Sequence, residues 1–144
     1  MYRKSQRRLH RQSLIATGKI NPIEWYISKT EAAVALKDFG IPLKEVKKLR
    51  CLKHQVCVSY WDINGKVCCS FFSYRIFERW QKAVERLIHN CQILGEWERL
   101  RDIIQYDMLK FPYPVEMADR IWDTLKNRWH QLRTAVRVGE ALAV

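Results

Sequence analysis

Apolar residues recur at intervals of three and four through most of the second half of this 144-residue chain. The spacing predicts helices with one apolar face over three segments, 77–94, 97–108 and 114–136, the last two separated by the sequence "FPYP". Such stripes belong either to the core of one chain or to a seam between two chains. Because the preceding part of the chain offers little surface to cover them, we expect part of this region to form a homodimer.

Two shorter apolar series flank a Gly-Ile-Pro corner in the first half of the chain. Ser28 and Glu31 have the spacing of a capping box and predict the start of a helix, which Gly40 is suited to end. Pro42 then predicts a second helix over 43–52, because proline favours the first turn of a helix. The apolar residues of this second helix recur every third position, so its lysines and arginine are expected to face solvent.

Two β-rich runs follow and flank the dipeptide Asn64–Gly65. Successive side chains along each run fall on alternate sides, as in a strand. An Asn-Gly pair suits the two positive-φ positions of a type I′ turn. The pattern therefore predicts a two-stranded hairpin with Lys66 at its tip.

The charge of the chain is strongly positive and unevenly distributed. It has 26 Lys and Arg against 15 Asp and Glu, a net charge of +11. Residues 1–94 hold 18 basic and 7 acidic residues, whereas residues 95–144 hold 8 of each. A field of this size attracts polyanions, so nucleic acid is the leading partner class.

The sequence also bears on the compartment. No run of about 18 apolar residues exists, and the basic N-terminus lacks the apolar segment of a secretory signal. The five cysteines are odd in number and unlike a secreted disulfide framework. We therefore expect a cytoplasmic protein without a membrane partner.

The order of these parts resembles the winged-helix head of MerR-type regulators and phage excisionases. The matching segments are "WYISKTEAAVAL", "FGI", "LKEVKKLR", "VCVSYWDINGKVCCSFF" and "YRIFERW". The resemblance implies a mainly α fold with a small β-hairpin, in which an N-terminal winged helix-turn-helix head is followed by long C-terminal helices. The implied units are a basic arm over 1–24, the head over 25–80 and a helical dimerisation region over 81–144.

The resemblance further implies how DNA would be bound. The helix 43–52 would enter the major groove, where Lys44 and Lys47 reach base edges, and the hairpin would be a wing on the backbone. The N-terminus of the first helix would offer backbone N–H groups to a phosphate. The predicted DNA-binding residues are Arg3, Lys4, Arg7, Arg8, Arg11, Ser28, Lys29, Thr30, Lys44, Lys47, Lys48, Arg50, Lys53, Asn64 and Lys66.

These features predict a sequence-specific transcriptional regulator of double-stranded DNA, a repressor that acts as a homodimer with no evident small-molecule effector. An excisionase-like accessory protein is another form of the same activity. The alternative from a different class is an RNA-binding or ribonucleoprotein-assembly subunit. It rests on Trp25, Tyr26 and Trp61, which fall outside the helical stripes and could stack bases.

Metal binding and catalysis are weaker readings of the sequence. Cys51, His54 and Cys57, with Cys68 or Cys69, are residue types compatible with zinc, but cysteines at strand positions more often pack as small apolar residues. No P-loop, "GxGxxG" or nucleophile motif is present. We therefore predict no metal, no cofactor and no enzymatic activity.

Overall fold

The computed structural model describes residues 12–142, which form four α-helices and one three-stranded antiparallel sheet of order β1-β2-β3. Two short 3-10 turns, Pro22–Glu24 and Tyr74–Ile76, precede α1 and α2 respectively. In chain order the elements are α1 (Lys29–Asp38), β1 (Leu43–Cys51), β2 (Gln55–Asp62), β3 (Val67–Ser73), α2 (Glu78–His89), α3 (Leu94–Lys110) and α4 (Val115–Leu142).

The helix predicted after Ser28 is confirmed as α1. The Ser28 side chain accepts a hydrogen bond from the Glu31 backbone N–H at 3.0 Å, which satisfies one of the free donors of the first turn. Gly40 follows the helix with φ of 96°, a conformation that glycine adopts without a side-chain clash. The start predicted from Ser28 and the end predicted from Gly40 are therefore both confirmed.

The helix predicted over 43–52 is wrong, because this segment is strand β1. It pairs with β2 along its length, and its register shifts twice, between Leu43 and Glu45 and between Val46 and Lys48. Each shift is a β-bulge that inserts one extra residue. Residues on one side of a regular strand are two positions apart, so across a bulge they are three positions apart. Leu43 and Val46 are buried, and Leu49 packs against the same core. Two bulges thus give a strand the apolar spacing of a helix.

The predicted hairpin is present as β2 and β3, but its turn is not type I′. Of the residues at the turn only Gly65 has a positive φ, 79°. The Asp62 carboxylate organises the turn instead, because its Oδ1 accepts hydrogen bonds from the backbone N–H groups of Asn64 and Lys66, each at 2.9 Å. The turn is therefore held by side-chain hydrogen bonds to its backbone and has a single positive-φ residue, Gly65.

The predicted fold class is consequently wrong. The described chain has no helix-turn-helix, since the second helix of that motif is replaced by an edge strand of a three-stranded sheet. The predicted wing is the remaining two strands of the same sheet rather than a separate ribbon. The three long helices all follow the sheet in the chain.

One face of the sheet, here called the inner face, packs on the helices. Val46, Val56, Val58, Tyr60 and Phe72 are buried there and belong to one continuous hydrophobic core. Burial of one such side chain stabilises a fold by roughly 1.5–3 kcal/mol. The helical members of the core include Ala32, Leu36, Trp80, Val84, Ile88, Leu100, Ile104, Ile121 and Leu125.

The three apolar stripes of the second half lie on helices, but the first predicted helix, 77–94, ends at His89, and its last stripe residue, Leu94, begins α3. The change of phase near Gly95 corresponds to a break between α2 and α3, and α4 begins directly after Pro114. The α4 stripe is buried within this chain as far as Leu132, whereas Val136 and Val138 are about half exposed. Homodimerisation through this region stays a prediction. Over residues 12–142, no helix is both long enough and apolar enough to cross a bilayer.

A buried ion pair ties the sheet to the helical layer. The Arg75 guanidinium, which follows β3, donates from Nε and Nη2 to the Asp107 carboxylate of α3 at 2.9 and 2.8 Å. The same carboxylate accepts the Leu14 backbone N–H at 3.1 Å and the Tyr113 hydroxyl. Burial, followed by the Asp107 charge, raises the pKa of Tyr113, which keeps its hydroxyl a donor. All oxygens of this buried carboxylate are therefore engaged.

Candidate nucleic-acid interface

The second face of the sheet, here called the outer face, points away from the helices. Because side chains alternate along a strand, the residues between Val56, Val58 and Tyr60 must project to this side. None of them is fully buried. The outer face is formed by Cys57, Ser59 and Trp61 on β2, Val67, Cys69 and Phe71 on β3, and Glu45, Lys48 and Arg50 on β1.

Five cations follow the edge strand and the turn after it, and we call them the cation row. They are Lys44, Lys47, Lys48, Arg50 and Lys53, and every one is exposed. Lys48 and Arg50 lie opposite Ser59 and Cys57 respectively and so belong to the outer face. Because β1 spans six steps of β2 and Lys53 lies in the turn just beyond, the row is about 20–25 Å long.

The bulges of β1 decide where two of these cations lie. Lys44 and Lys47 are the extra residues at the two register shifts. The Lys47 ammonium lies 5.7 Å from the centroid of the Trp61 ring, a cation–π contact that brings the row over the neighbouring strand. Without the bulges, a strict alternation would send one of the adjacent Lys47 and Lys48 towards the core.

Apolar and aromatic groups occupy the part of the outer face away from the cation row. Phe71 is 59% exposed and Val67 is 50% exposed, while Trp61 is half-buried. Strand β3 has the sequence "VCCSFFS" and carries no charged residue. Trp61 and Phe71 are separated by four positions of the sheet, about 13 Å. The outer face is thus divided into a cationic edge and an uncharged aromatic area.

Acidic groups do little to offset the cation row. Within β1 the only acid is Glu45, which lies opposite Trp61. Asp62 ends β2, and its Oδ1 is already held by the turn that follows. The electrostatic field over the edge strand is therefore positive.

The other predicted binding residues lie elsewhere. Lys66 and Asn64 are exposed in the β2–β3 turn, at the end of the sheet where Lys44 lies. The residues Ser28, Lys29 and Thr30 begin α1, whose first turn is joined to α2 by an ion pair of Glu31 with Arg79 at 2.6 Å, so they belong to the helical side. The arginines and lysine at 3, 4, 7, 8 and 11 lie outside the described residues.

The cysteines do not converge on a metal site. Cys57 and Cys69 share the outer face, with their sulfurs 3.6 Å apart, whereas Cys68 is on the inner face opposite Tyr60. Over residues 12–142, no three side chains of His, Cys, Asp or Glu come together as a possible metal-binding group. The zinc alternative therefore has no support from the described residues.

Sequence reasoning named every cation of the row but assigned them to the wrong element. It singled out Trp61 as a base-stacking candidate and overlooked Phe71. Phe71 and Phe72 are adjacent, and only the register with Cys57 and Val56 shows that Phe71 is the exposed one. The period-two alternation of β3 already places Phe71 and Phe72 on opposite faces of the sheet. Which of the two is exposed follows only when the covered face is known.

Comparisons with known proteins identify no relative of this chain. No protein-family model, curated protein or solved structure matches the chain. The resemblance to MerR-type regulators stays a prediction.

Proposed function

We propose that the protein binds single-stranded nucleic acid, RNA or DNA, across the outer face of its sheet. The observation that supports this is the separation of charge and aromatic surface on that face. A row of cations follows one edge strand, and the half-buried Trp61 ring and the exposed Phe71 ring lie on the two strands beside it.

A single strand has the complementary chemistry. Its phosphates form one continuous negative edge, and its unpaired bases present flat apolar faces to the other side. Phosphates along the cation row would place bases above Trp61 and Phe71. Each base that stacks on an aromatic ring contributes about 1–3 kcal/mol to binding. The length of the row suits a site of roughly four to five nucleotides.

Duplex DNA fits the outer face less well. A sheet that enters a groove meets phosphates on both sides, and therefore needs cations at both of its edges. The opposite edge, β3, has none. The bases of a duplex are stacked within it, so Phe71 would find few flat surfaces. Regulation through duplex binding, as inferred from the sequence, depended on a recognition helix that this segment does not form.

Binding should be measured by fluorescence anisotropy with labelled oligonucleotides of about ten nucleotides. The probes are an unstructured RNA, a DNA of the same sequence, and that DNA annealed to its complement. We expect the two single strands to bind at least about tenfold more tightly than the duplex, since only they offer free base faces. Tighter binding of the duplex would overturn the proposal in favour of a duplex-binding protein. Absence of binding by all three would overturn nucleic-acid binding through this face.

Removal of the exposed ring tests the stacking part of the proposal. We expect Phe71→Ala to weaken single-strand binding by roughly 1–2 kcal/mol, because one base loses its aromatic partner. Phe39→Ala is a matched control, since Phe39 is similarly exposed, 49%, but lies at the end of α1. Equal affinities of the two variants for the RNA probe would show that Phe71 is not part of the site.

A further inference from the structure

Two thiols lie side by side in the middle of the outer face. The Cys57 and Cys69 sulfurs are 3.6 Å apart and share a hydrogen bond. Cys57 lies opposite Phe71 and Cys69 opposite Ser59, so the two cysteines are diagonal neighbours across β2 and β3. A disulfide needs its two Cα atoms within about 7 Å, and diagonal neighbours of a sheet are typically about 7–8 Å apart, so the bond requires the two strands to shift towards each other locally.

The surroundings of this pair give the two thiols different roles. The shared hydrogen bond with Cys69 is the largest cause that raises the pKa of Cys57, and burial adds to it. The charges of Arg50 and Lys48 on the adjoining strand β1 lower that pKa by less, so Cys57 holds its proton more firmly. Cys69, the more exposed of the two, is the sulfur that an external reagent meets first.

We propose that Cys57 and Cys69 form a reversible disulfide on the outer face when the protein meets a low-molecular-weight disulfide such as oxidised glutathione. The Cys69 thiolate attacks one sulfur of oxidised glutathione and releases one glutathione thiolate. The Cys57 thiolate then attacks the Cys69 sulfur of the mixed disulfide and releases the second. Two electrons pass from the cysteines to oxidised glutathione, and the two thiol protons end on the two molecules of reduced glutathione.

The bond is expected to be easily reduced. It is exposed on the sheet surface, and it must draw the strands together from their positions in the reduced protein. Strained or exposed disulfides have the higher reduction potentials that are typical of labile and regulatory bonds rather than structural ones. Reduced glutathione in excess should therefore restore both thiols.

The disulfide would also regulate ligand binding, and this part rests on the proposed function. Phe71 is the direct partner of Cys57, and Cys57 is the direct partner of Arg50. A shift of β3 towards β2 therefore changes the spacing between the aromatic ring and the cation row. We expect the oxidised protein to bind the RNA probe roughly tenfold more weakly, the loss of about one stacked base.

The bond is tested on the full chain, equilibrated with glutathione buffers of increasing oxidised fraction. We expect a mass decrease of two hydrogens and, after digestion, one peptide pair joined through Cys57 and Cys69. Cys57→Ser and Cys69→Ser should each abolish that peptide pair. Cys68→Ser is the matched control, because Cys68 is the next residue of β3 but lies on the inner face, and it should leave the Cys57–Cys69 bond intact.

The regulatory part is tested by comparing each protein with its own reduced form. We expect oxidation to weaken RNA binding by the parent protein and by Cys68→Ser. Oxidation should leave the RNA affinity of Cys69→Ser unchanged. A disulfide that joins other cysteines, or no disulfide, would overturn the inference. A Cys57–Cys69 bond with unchanged binding would overturn the regulatory role alone. If the reduced protein binds no oligonucleotide, the proposed function fails, while the mass measurement still decides whether the bond forms.

Discussion

Asp107→Ala is expected to destabilise the protein by roughly 3–5 kcal/mol, a large part of the stability of a domain of this size. Arg75 and Asp107 are 1% and 0% exposed, so the substitution leaves a guanidinium charge buried without its counter-ion. It also leaves the Leu14 N–H and the Tyr113 hydroxyl without the acceptor that they share. An unsatisfied buried donor costs about 1–3 kcal/mol, so the two lost hydrogen bonds place the expected change towards the upper end of the range of about 3–5 kcal/mol.

The loss should be measured as the free energy of unfolding from urea denaturation followed by circular dichroism. Asp102→Ala is the matched control, because it removes a carboxylate from the same helix. Its partner is the adjacent Arg101, and its side chain is 67% exposed. That change should alter the free energy of unfolding by no more than about 0.5 kcal/mol. If both variants unfold at the same urea concentration, the buried pair contributes nothing beyond a surface carboxylate.

This network had no signature in the sequence. Arg75 and Asp107 are 32 positions apart, and neither belongs to a motif that marks a buried charge. An aspartate in a helix with neighbouring arginines is usually exposed, because isolated buried charges are costly. Only the packing of the segment after β3 against α3, with the Phe111 ring 3.8 Å from the guanidinium carbon, reveals that the pair is sealed from solvent.

The helical half of the fold was predictable, because its apolar stripes are long, the first break lies a few residues before the change of phase at Gly95, and the second lies at the "FPYP" sequence. The strand formed by segment 43–52 was not predictable. Its apolar residues return every third position, which a local pattern cannot distinguish from a helix, and its lysines have good helix propensity. Hydrogen bonding to β2 overrides that propensity, and the two bulges that keep Leu43, Val46 and Leu49 on one side depend on the partner strand.

The cations of segment 43–52 were predicted to face solvent, and they are exposed in the strand for the same physical reason that would expose them in a helix. In either a helix or a bulged strand, the apolar residues of β1 face the core, so the lysines and Arg50 must face solvent. What changed is the shape of the surface that they form. A helix would concentrate the charge on a rod that fits a groove, whereas the edge strand spreads it along one side of an open sheet with Trp61 and Phe71 beside it.

The buried pair and the outer face can be tested independently. Arg75 leaves β3 towards the helical layer, on the side of the sheet opposite to the cation row. Substitutions on the outer face remove exposed groups and should leave the core packing unchanged. A loss of binding by an outer-face variant that unfolds normally in urea therefore reports on ligand contacts.

The double variant Lys48→Ala/Arg50→Ala is expected to weaken single-strand binding by roughly 2–4 kcal/mol, the sum of two charge-assisted phosphate contacts. Both side chains are exposed and face outward opposite β2, so the fold should tolerate their removal. Neutralised phosphates release counterions, so the salt dependence must fall too. For a single strand, two lost contacts should reduce the slope of log K against log salt by about 1.4.

The control is Lys110→Ala/Lys126→Ala, which removes the same two charges from exposed positions on α3 and α4. Net charge alone would lower the affinity of both double variants equally, because it acts on the whole molecule. Phosphate contacts along β1 predict that only the strand variant loses both affinity and salt slope. Titrations of the RNA probe at three or more salt concentrations distinguish an effect of net charge from phosphate contacts along β1. An unchanged slope for the Lys48 and Arg50 variant would show that the cation row does not touch the phosphates.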